Sequence, residues 1–262
     1  MCRLPFIFLW TLWLAVSRVK GFVSLQTASS FRYSSQLWCQ PTSDQAELLK
    51  QELVTWGTKT KRGFQASRKE RQQVRKVIDK LAQLNPTPEP AAAYYTTANP
   101  NVTVSLQGKW TLLYTDAPDI TSLENPNPLV ELGRIGQECN PPTIANVIEW
   151  KAPAWTQSNP LVGENARLLQ KVVTQGKADP SRPAKVQLDI AGLQIQAPTT
   201  SDSSNPLLSL LKSRPVDLRG PWQLPFGEFE LLYLGDNFRV TRTGQNYVAV
   251  NQRIPSDEEP WF

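Results

Sequence analysis

The apolar residues of this 262-residue chain follow two different periods. Before residue 90 they recur every three or four positions, the spacing that places them on one face of an α-helix. The clearest stripe consists of Val74, Val77, Ile78 and Leu81. It follows a capping box that runs from Ser67 to Glu70. We therefore predict two amphipathic helices within residues 43–84.

Beyond Val102 the apolar residues alternate with polar ones in short runs separated by Pro, Gly and Asn, a pattern typical of β-strands. The candidate strands cover residues 110–115, 134–139, 144–150, 167–175, 184–190, 193–197, 228–234, 238–243 and 247–253. Eight or nine short strands favour a barrel or a sandwich. We expect a mainly β fold, an antiparallel barrel preceded by two helices, and a long loop inserted at 198–225.

The first 41 residues have the composition of targeting segments. An apolar run from Phe6 to Val16, flanked by basic residues, is too short to cross a bilayer comfortably and has the layout of a secretory signal. The following stretch is rich in Ser and Thr and contains Arg32 but no acid, as organellar transit peptides do. In series they predict import into a plastid that derives from a eukaryotic endosymbiont. Secretion of a protein with a disordered N-terminus is the alternative.

These patterns divide the chain into five parts, with no further segment that resembles a membrane span. The predicted parts are a signal peptide at 1–21, a transit-like segment at 22–41, a helical pair with a Pro-rich linker at 42–90, the barrel domain at 91–255 and a tail at 256–262.

The chain contains no histidine, which removes the commonest general base, the usual hydrolase triads and the usual zinc sites. Its glycines lack the spacing of phosphate-binding loops. Glu138 and Glu149 lie in candidate strands, but the sequence does not pair them. We expect no catalytic residue, no metal and no cofactor. Cys139, the only cysteine in the body of the protein, is a redox-sensitive thiol or a small apolar filler, and the filler is the favoured interpretation.

One strand, from Gly108 to Thr115, suggests what the barrel holds. Its period of two places Trp110, Leu112 and Tyr114 on one face. An eight-stranded barrel is just wide enough to be filled by side chains or to hold one small ligand. The candidate lining residues are Trp110, Leu112, Tyr114, Ile148, Trp150, Phe229, Leu231, Tyr233, Phe238 and Val240. Both readings, an apolar pocket and a filled core, remain open.

Five blocks of this sequence, taken in order, resemble the fibrillins, the plastid lipid-associated proteins of plastoglobules and thylakoids. The likeness covers residues 45–253. The blocks are Lys61-Arg62-Gly63 after the first helix, Leu84-Asn85-Pro86-Thr87-Pro88 after the second, the strand 106–115, Asn146-Val147-Ile148, and the ending 233–242.

The resemblance implies a lipocalin-like barrel, because Gly108-x-Trp110 has the form of the lipocalin opening motif. In that fold a late-strand arginine covers the tryptophan at the closed end of the barrel. Alternation makes Arg242 the candidate here, so Gly108, Trp110 and Arg242 are expected to close the barrel.

The resemblance also implies the partners: carotenoids, prenylquinones or acyl lipids, bound or organised at thylakoids or plastoglobules. A coat on lipid particles with a filled barrel is one alternative, and an accessory to prenylquinone synthesis is another. An enzyme that acts on a carotenoid or a lipid is a further, weaker alternative. The oligomeric state is not predicted.

A basic stretch at residues 58–80 and an apolar knot at 207–211 could touch a lipid surface. Basic residues near anionic head groups are attracted to them, whereas the aromatic residues that would stack on nucleic acid bases are not interleaved here. We expect no nucleic acid partner. The candidates for a membrane surface are Lys69, Arg71, Arg75, Lys76, Leu208 and Leu211. The solvated face of a helix, and a short helix that plugs one end of the barrel, are the simpler readings.

Overall fold

The computed structural model describes residues 43–94, 106–124, 128, 130–156, 166–198, 205–255 and 262. The predicted signal and transit segments, residues 1–41, lie outside the described residues, and so does most of the tail at 256–262. No helix among the described residues has the length and apolar character that crossing a membrane requires.

Two helices open the described chain, as predicted. Helix α1 spans Ser43–Lys59 and helix α2 spans Arg68–Ala82. The capping box of α2 is present, because the Ser67 hydroxyl accepts the backbone N–H of Glu70 and the Glu70 carboxylate accepts the backbone N–H of Ser67. Two short helices occur later, α3 at Pro118–Thr121 and α4 at Pro206–Ser213.

Eight antiparallel strands close into a barrel in sequence order, each pairing with the next and β8 pairing with β1. The strands are β1 Gly108–Thr115, β2 Glu131–Asn140, β3 Thr143–Lys151, β4 Arg167–Ala178, β5 Lys185–Gln196, β6 Val216–Leu234, β7 Phe238–Thr243 and β8 Val248–Arg253. The mainly β fold with a closed barrel behind two helices is thus confirmed.

Two predictions between residues 184 and 225 are wrong, the division of one strand into two and the long loop that follows. The two strands predicted at 184–190 and 193–197 are one strand, β5, which spans Lys185–Gln196 and continues through a shift of register beside Ala191. Most of the predicted loop at 198–225 is also ordered, since 206–213 form α4 and β6 begins at Val216. The prolines at 221 and 225 favoured a loop. However, β6 pairs with the short β7 only from Phe229 onward, so the earlier part of β6 is an edge on that side. An edge strand tolerates proline, because no neighbouring strand there needs its backbone N–H.

A β-bulge in strand β1 and another in strand β6 reverse which of the later side chains point into the barrel. On β1, Leu112 pairs with Asn251 and Tyr114 with Val250, so Leu113 is an extra residue. On β6, Leu231 pairs with Thr241 and Tyr233 with Val240, so Leu232 is an extra residue. One extra residue moves every later side chain to the opposite face of the sheet.

The barrel therefore has separate inner and outer cores. Inside it pack Leu106, Trp110, Cys139, Ile144, Val186, Leu188, Phe229, Leu231 and Leu234. Outside it, the helices α1 and α2 pack on the β6–β7–β8–β1 wall through Leu49, Leu53, Val74, Val77, Ile78, Leu81, Tyr114, Tyr233, Phe238, Val240, Val248 and Val250. One wall is thus buried on both faces.

Helix α1 lies very close to the bulge of β1. A Cβ atom at Gly57 would overlap the carbonyl oxygen of Leu113, and one at Gly63 would overlap that of Thr115. Gly63 also has a φ of +93°, which glycine adopts at little cost. These glycines allow the first helix and the turn after it to touch the backbone of the barrel.

Candidate functional site

The closed end of the barrel, called the floor below, is built around Trp110. Its ring is fully buried, and its indole N–H donates to the carbonyl oxygen of Leu106 at 3.0 Å. The guanidinium carbons of Arg239 and Arg253 lie 4.7 Å and 4.2 Å from the ring centroid. Two cations therefore stack on one indole, an arrangement that its π face favours.

The expected closure by Arg242 is wrong. Arg242 donates to Glu230 at 2.6 Å on the outside of the barrel, where its side chain is 39% exposed. Phe238, Val240 and Arg242 do share a face, but the register with β8 makes it the outer face: Val240 opposes Val250, whereas Arg239 opposes Asn251. The inward arginine is therefore Arg239.

Arg239 is the centre of a polar cluster at the floor. It is 1% exposed, and it donates to the Oε1 atom of Gln137 at 2.7 Å and to the Sγ atom of Cys139 at 3.1 Å. Gln137 in turn donates to Asn146 at 2.7 Å. Burial raises the pKa of the Cys139 thiol, and the neighbouring Arg239 opposes that rise without cancelling it. Cys139 is therefore more than apolar filler, because its sulfur accepts from a buried guanidinium.

Tyr94 reaches the same floor from the segment before β1. Its ring lies against Gly176, where an added Cβ atom would be 2.7 Å from the ring. Burial raises the pKa of its hydroxyl, which interacts electrostatically with Cys139 and Arg239. Neither that hydroxyl nor Nε of Arg239 has a hydrogen-bond partner among the described residues.

Six of the ten predicted lining residues face the interior, and four do not. The inward residues are Trp110, Leu112, Ile148, Trp150, Phe229 and Leu231, as their pairing with other inward residues shows. The predictions for Tyr114, Tyr233, Phe238 and Val240 are wrong, because these four pack in the outer core against the helices. The bulges at Leu113 and Leu232 are the physical reason, since they break the alternation on which the prediction depended.

The opposite end of the barrel, called the mouth below, is where β3 ends, β4 begins, β5 ends and β6 begins. Its inner wall is apolar but not covered. Leu193 pairs with Leu218 and Ile195 with Val216, so these four share the inner face. Val216 is nevertheless 43% exposed and Leu218 is 51% exposed. Inward apolar side chains that meet solvent indicate an open mouth rather than a filled one.

Sequence reasoning missed the wall of the mouth, although the signal was available. Leu193-Gln194-Ile195 and Val216-Asp217-Leu218 both alternate with the period of a strand. The surrounding Pro and Ser residues led to a loop prediction for the second segment. By contrast, choosing Arg239 over Arg242 required the position of a bulge, for which the sequence offers no signal of its own.

Helix α4 covers part of the mouth. Leu208 and Leu211 are buried against Ala166, Leu168 and Ala197, which lie at the start of β4 and the end of β5. These two leucines, predicted to touch a membrane, therefore face the barrel in this structure. Leu210 of the same helix is exposed, at 52%.

The basic candidates on α2 have different surroundings. Lys69 and Lys76 are exposed, whereas Arg71 donates to the carbonyl oxygen of Ala66 at 3.2 Å. Arg75 donates twice to Asp116, at 2.7 and 3.0 Å, and once to the carbonyl oxygen of Asn246. Arg75 therefore fastens the helix to the barrel. Beside it lies a polar cleft of about 250 Å³ between α2 and the outer wall.

The carboxylates form structural contacts. Glu149 is fully buried on the outer face and accepts from Arg134 and Arg167, and Glu138 pairs with Lys171 at 3.1 Å. Among the described residues, no group of three or more His, Cys, Asp or Glu side chains could hold a metal ion. The interior of the barrel, with a polar floor and an apolar mouth, is thus the site that the fold presents.

The PAP_fibrillin family model matches residues 47–251. The chain is 27% identical over 164 residues to the "probable plastid-lipid-associated protein 2, chloroplastic" of Arabidopsis thaliana, covering 61% of this chain and 46% of that protein. It is 28% identical over 158 residues to the "chromoplast-specific carotenoid-associated protein" of Cucumis sativus, covering 59% and 42%. The chain thus spans less than half the length of these curated relatives. No solved structure gives a significant match.

Proposed function

The chain belongs to the PAP_fibrillin family, and from that premise we propose that it binds a hydrophobic small molecule inside its barrel. Its relatives are named for association with plastid lipids and with carotenoids. The ligand classes that fit are carotenoids, prenylquinones and acyl lipids. The place of action is a plastid, at thylakoids or plastoglobules, reached through the signal and transit segments at 1–21 and 22–41.

The observation that carries this proposal is the inner wall of the mouth. Leu193, Ile195, Val216 and Leu218 face the interior, and none of them is fully buried. Covering apolar surface stabilises a complex by about 25 cal/mol per Å². Entry of an apolar ligand would cover the exposed inward residues of this barrel, and this would stabilise the complex.

Partial exposure continues deeper into the barrel. Trp150, Gln170 and Val172 face the interior and stay partly exposed, and the indole N–H of Trp150 donates to Gln170 at 3.0 Å. The interior between the mouth and the floor is therefore lined by apolar side chains with a few polar groups, as small-molecule sites are.

The same features weigh against a coat protein with a filled barrel. A filled barrel would bury its inward residues as completely as the outer core buries Tyr114 and Val240. A place on lipid surfaces is compatible with ligand binding, since Trp155 and Leu210 add exposed apolar side chains around the mouth. We propose that the protein exchanges its ligand with lipid at this end.

The test is to load the purified chain and identify what it retains. The chain is incubated with a total lipid extract of plastid membranes, repurified, and measured by native mass spectrometry with extraction of the bound material. We expect one pigment, quinone or acyl lipid per chain. Replacing Leu193 by Asp should abolish retention, whereas the same change at the exposed Leu48 of α1 should not. Failure to retain any lipid would overturn the proposal.

A further inference from the structure

Arg239, at the floor of the barrel, is a buried cation with no carboxylate among the hydrogen-bond acceptors that the described residues offer it. Arg239 has five N–H donors, and its side-chain acceptors are one amide oxygen and one thiol, a weak acceptor. A second cation, Arg253, stacks on the same indole, and burial together with the Arg239 charge lowers the pKa of Arg253. A buried cation without an anionic partner costs several kcal/mol.

Two polar groups at this floor lack hydrogen bonds within the described parts of the chain. They are Nε of Arg239 and the hydroxyl of Tyr94. Buried polar groups in folded proteins nearly always have partners, so two unpaired donors on residues that interact electrostatically point to a ligand group that accepts from both. A cation and a hydroxyl together suit an oxygen anion.

Two partly exposed polar side chains connect the floor to the rest of the interior. Gln137 and Asn146 face inward, since Gln137 pairs with both Trp110 and Asn146, yet both remain partly exposed. They touch Arg239 directly or through one hydrogen bond. The inner wall of β5 extends from Leu188 beside this floor to Ile195 at the mouth, roughly 23 Å at about 3.3 Å per residue. A long extended chain fits such a wall.

We propose that the barrel binds a single-chain lipid carboxylate, with its head group at Arg239 and Tyr94 and its hydrocarbon chain directed to the mouth. This inference rests on the proposed function and narrows its ligand class from hydrophobic molecules in general to lipid acids. The carboxylate accepts from Arg239 and the Tyr94 hydroxyl, and it balances the charge of Arg239. The apolar wall covers the chain.

The primary test compares a fatty acid with its methyl ester in the unaltered protein. The two probes, oleic acid and methyl oleate, differ in charge and hardly in apolar surface. We expect the acid to displace a fluorescent fatty acid at least tenfold more effectively, because a hydrogen bond to a charged group contributes about 1.5–3 kcal/mol. Equal displacement by acid and ester would overturn this proposal and leave the proposed function standing. Binding of neither probe would also overturn this proposal, whereas only failure to retain any lipid from the plastid extract would overturn the proposed function.

Three substitutions locate the head group. Arg239→Gln should remove the preference for the acid, and Arg242→Gln is the matched control, because Arg242 lies on the same strand but outside the barrel. Arg239 also covers Trp110, so thermal unfolding of each variant is recorded first. Loss of the preference in both variants would place the cause outside the floor and overturn the assignment.

Tyr94→Phe tests the site without disturbing a hydrogen bond, because the Tyr94 hydroxyl has none among the described residues. Removal of an unpaired buried hydroxyl should leave the unfolding temperature of the empty protein unchanged or raise it. The same change should weaken binding of the acid several-fold and leave binding of the ester unaltered. An unchanged affinity for the acid would exclude this hydroxyl from the head-group site.

Discussion

Glu149 is a fully buried carboxylate on the outer face of β3, and two arginines compensate its charge. Its oxygens accept from the backbone N–H, Nε and Nη2 of Arg134 and from Nη1 of Arg167, all between 2.9 and 3.0 Å. Burial alone would raise the pKa of Glu149, but the hydrogen bonds and charges of the arginines outweigh it and lower the pKa to about 2. A Cβ atom at Gly133 would lie 2.5 Å from its carboxylate, so the site is tightly packed.

This pKa predicts how stability depends on pH. A carboxylate whose pKa is lower in the folded protein stabilises it above the pKa of the unfolded chain, near 4.5, and loses that contribution as the pH falls toward 2. In the native protein the free energy of unfolding should therefore drop by roughly 3 kcal/mol over this range on account of Glu149. Glu149→Gln should be less stable at pH 7 and should lack this part of the drop, as measured by urea unfolding at several pH values.

Glu138→Gln is the control for this prediction, because Glu138 is a partly exposed carboxylate that pairs with Lys171 on the neighbouring strand. Its loss of stability at pH 7 should stay below about 1 kcal/mol. If both variants retained the same acid slope as the native chain, Glu149 would not be the group responsible.

At the level of single residues, the sequence predicts whether a side chain is buried. It predicts less well whether that side chain lies in the inner or the outer core. Trp110, Tyr114, Phe229 and Tyr233 are all buried, as expected. Tyr114 and Tyr233 nevertheless belong to the outer core, because a bulge precedes each of them. A bulge depends on packing across strands, here on the close approach of α1 to Leu113, and that approach is invisible in a local pattern.

At the level of elements, the helical pair is held to the barrel by one ion pair as well as by the outer core. Arg75 of α2 is one-third exposed, whereas Asp116, at the end of β1, is buried and also accepts the backbone N–H of Val248 at 2.8 Å. Removal of the guanidinium would leave a buried carboxylate without its cation. Such an uncompensated charge is strongly destabilising.

Arg75→Met should therefore lower the free energy of unfolding by about 2 kcal/mol. Lys76→Met removes an equal charge from the next position, where the side chain is exposed, and should change it by less than about 0.5 kcal/mol. Urea unfolding of both variants measures the difference. A further Asp116→Asn change should recover part of this loss, because it removes the uncompensated buried charge. Equal effects of the two single changes would show that the ion pair contributes nothing.

The elements also show where sequence patterns stop being informative. Both helices and six of the eight strands could be predicted from period, capping and turn residues, within a few residues at their ends, whereas β5 was predicted as two strands. The region 198–225 could not, because Pro and Ser there compete with a short alternating pattern. Its strand, the first part of β6, forms because β5 supplies a partner for it, which is a property of the sheet and not of the segment.

For the whole molecule, the exposed apolar side chains are concentrated at one end of the barrel, the mouth. Six large hydrophobic residues are exposed among those whose side chains the structure describes, and four belong to the mouth: Trp155, Leu210, Val216 and Leu218. Trp155 follows β3, Leu210 lies on α4, and the other two begin β6, so they occupy neighbouring parts of one arc. The exposed cations Lys151 and Arg214 lie on the same arc. Exposed apolar groups beside cations suit contact with an anionic lipid surface.

We therefore predict that the protein meets lipid through its mouth rather than through the basic face of α2. In flotation with vesicles of phosphatidylcholine and phosphatidylglycerol, Trp155→Ser combined with Leu210→Ser should reduce the bound fraction about tenfold, because both side chains would lose apolar contact with the bilayer. Lys69→Glu combined with Lys76→Glu should have a small effect that added salt removes. The reverse ranking of the two double variants would assign the lipid contact to α2.

A mouth held against lipid would let a ligand pass between bilayer and barrel without crossing water. The same mouth variants should therefore also slow the exchange of a bound fluorescent fatty acid with vesicles.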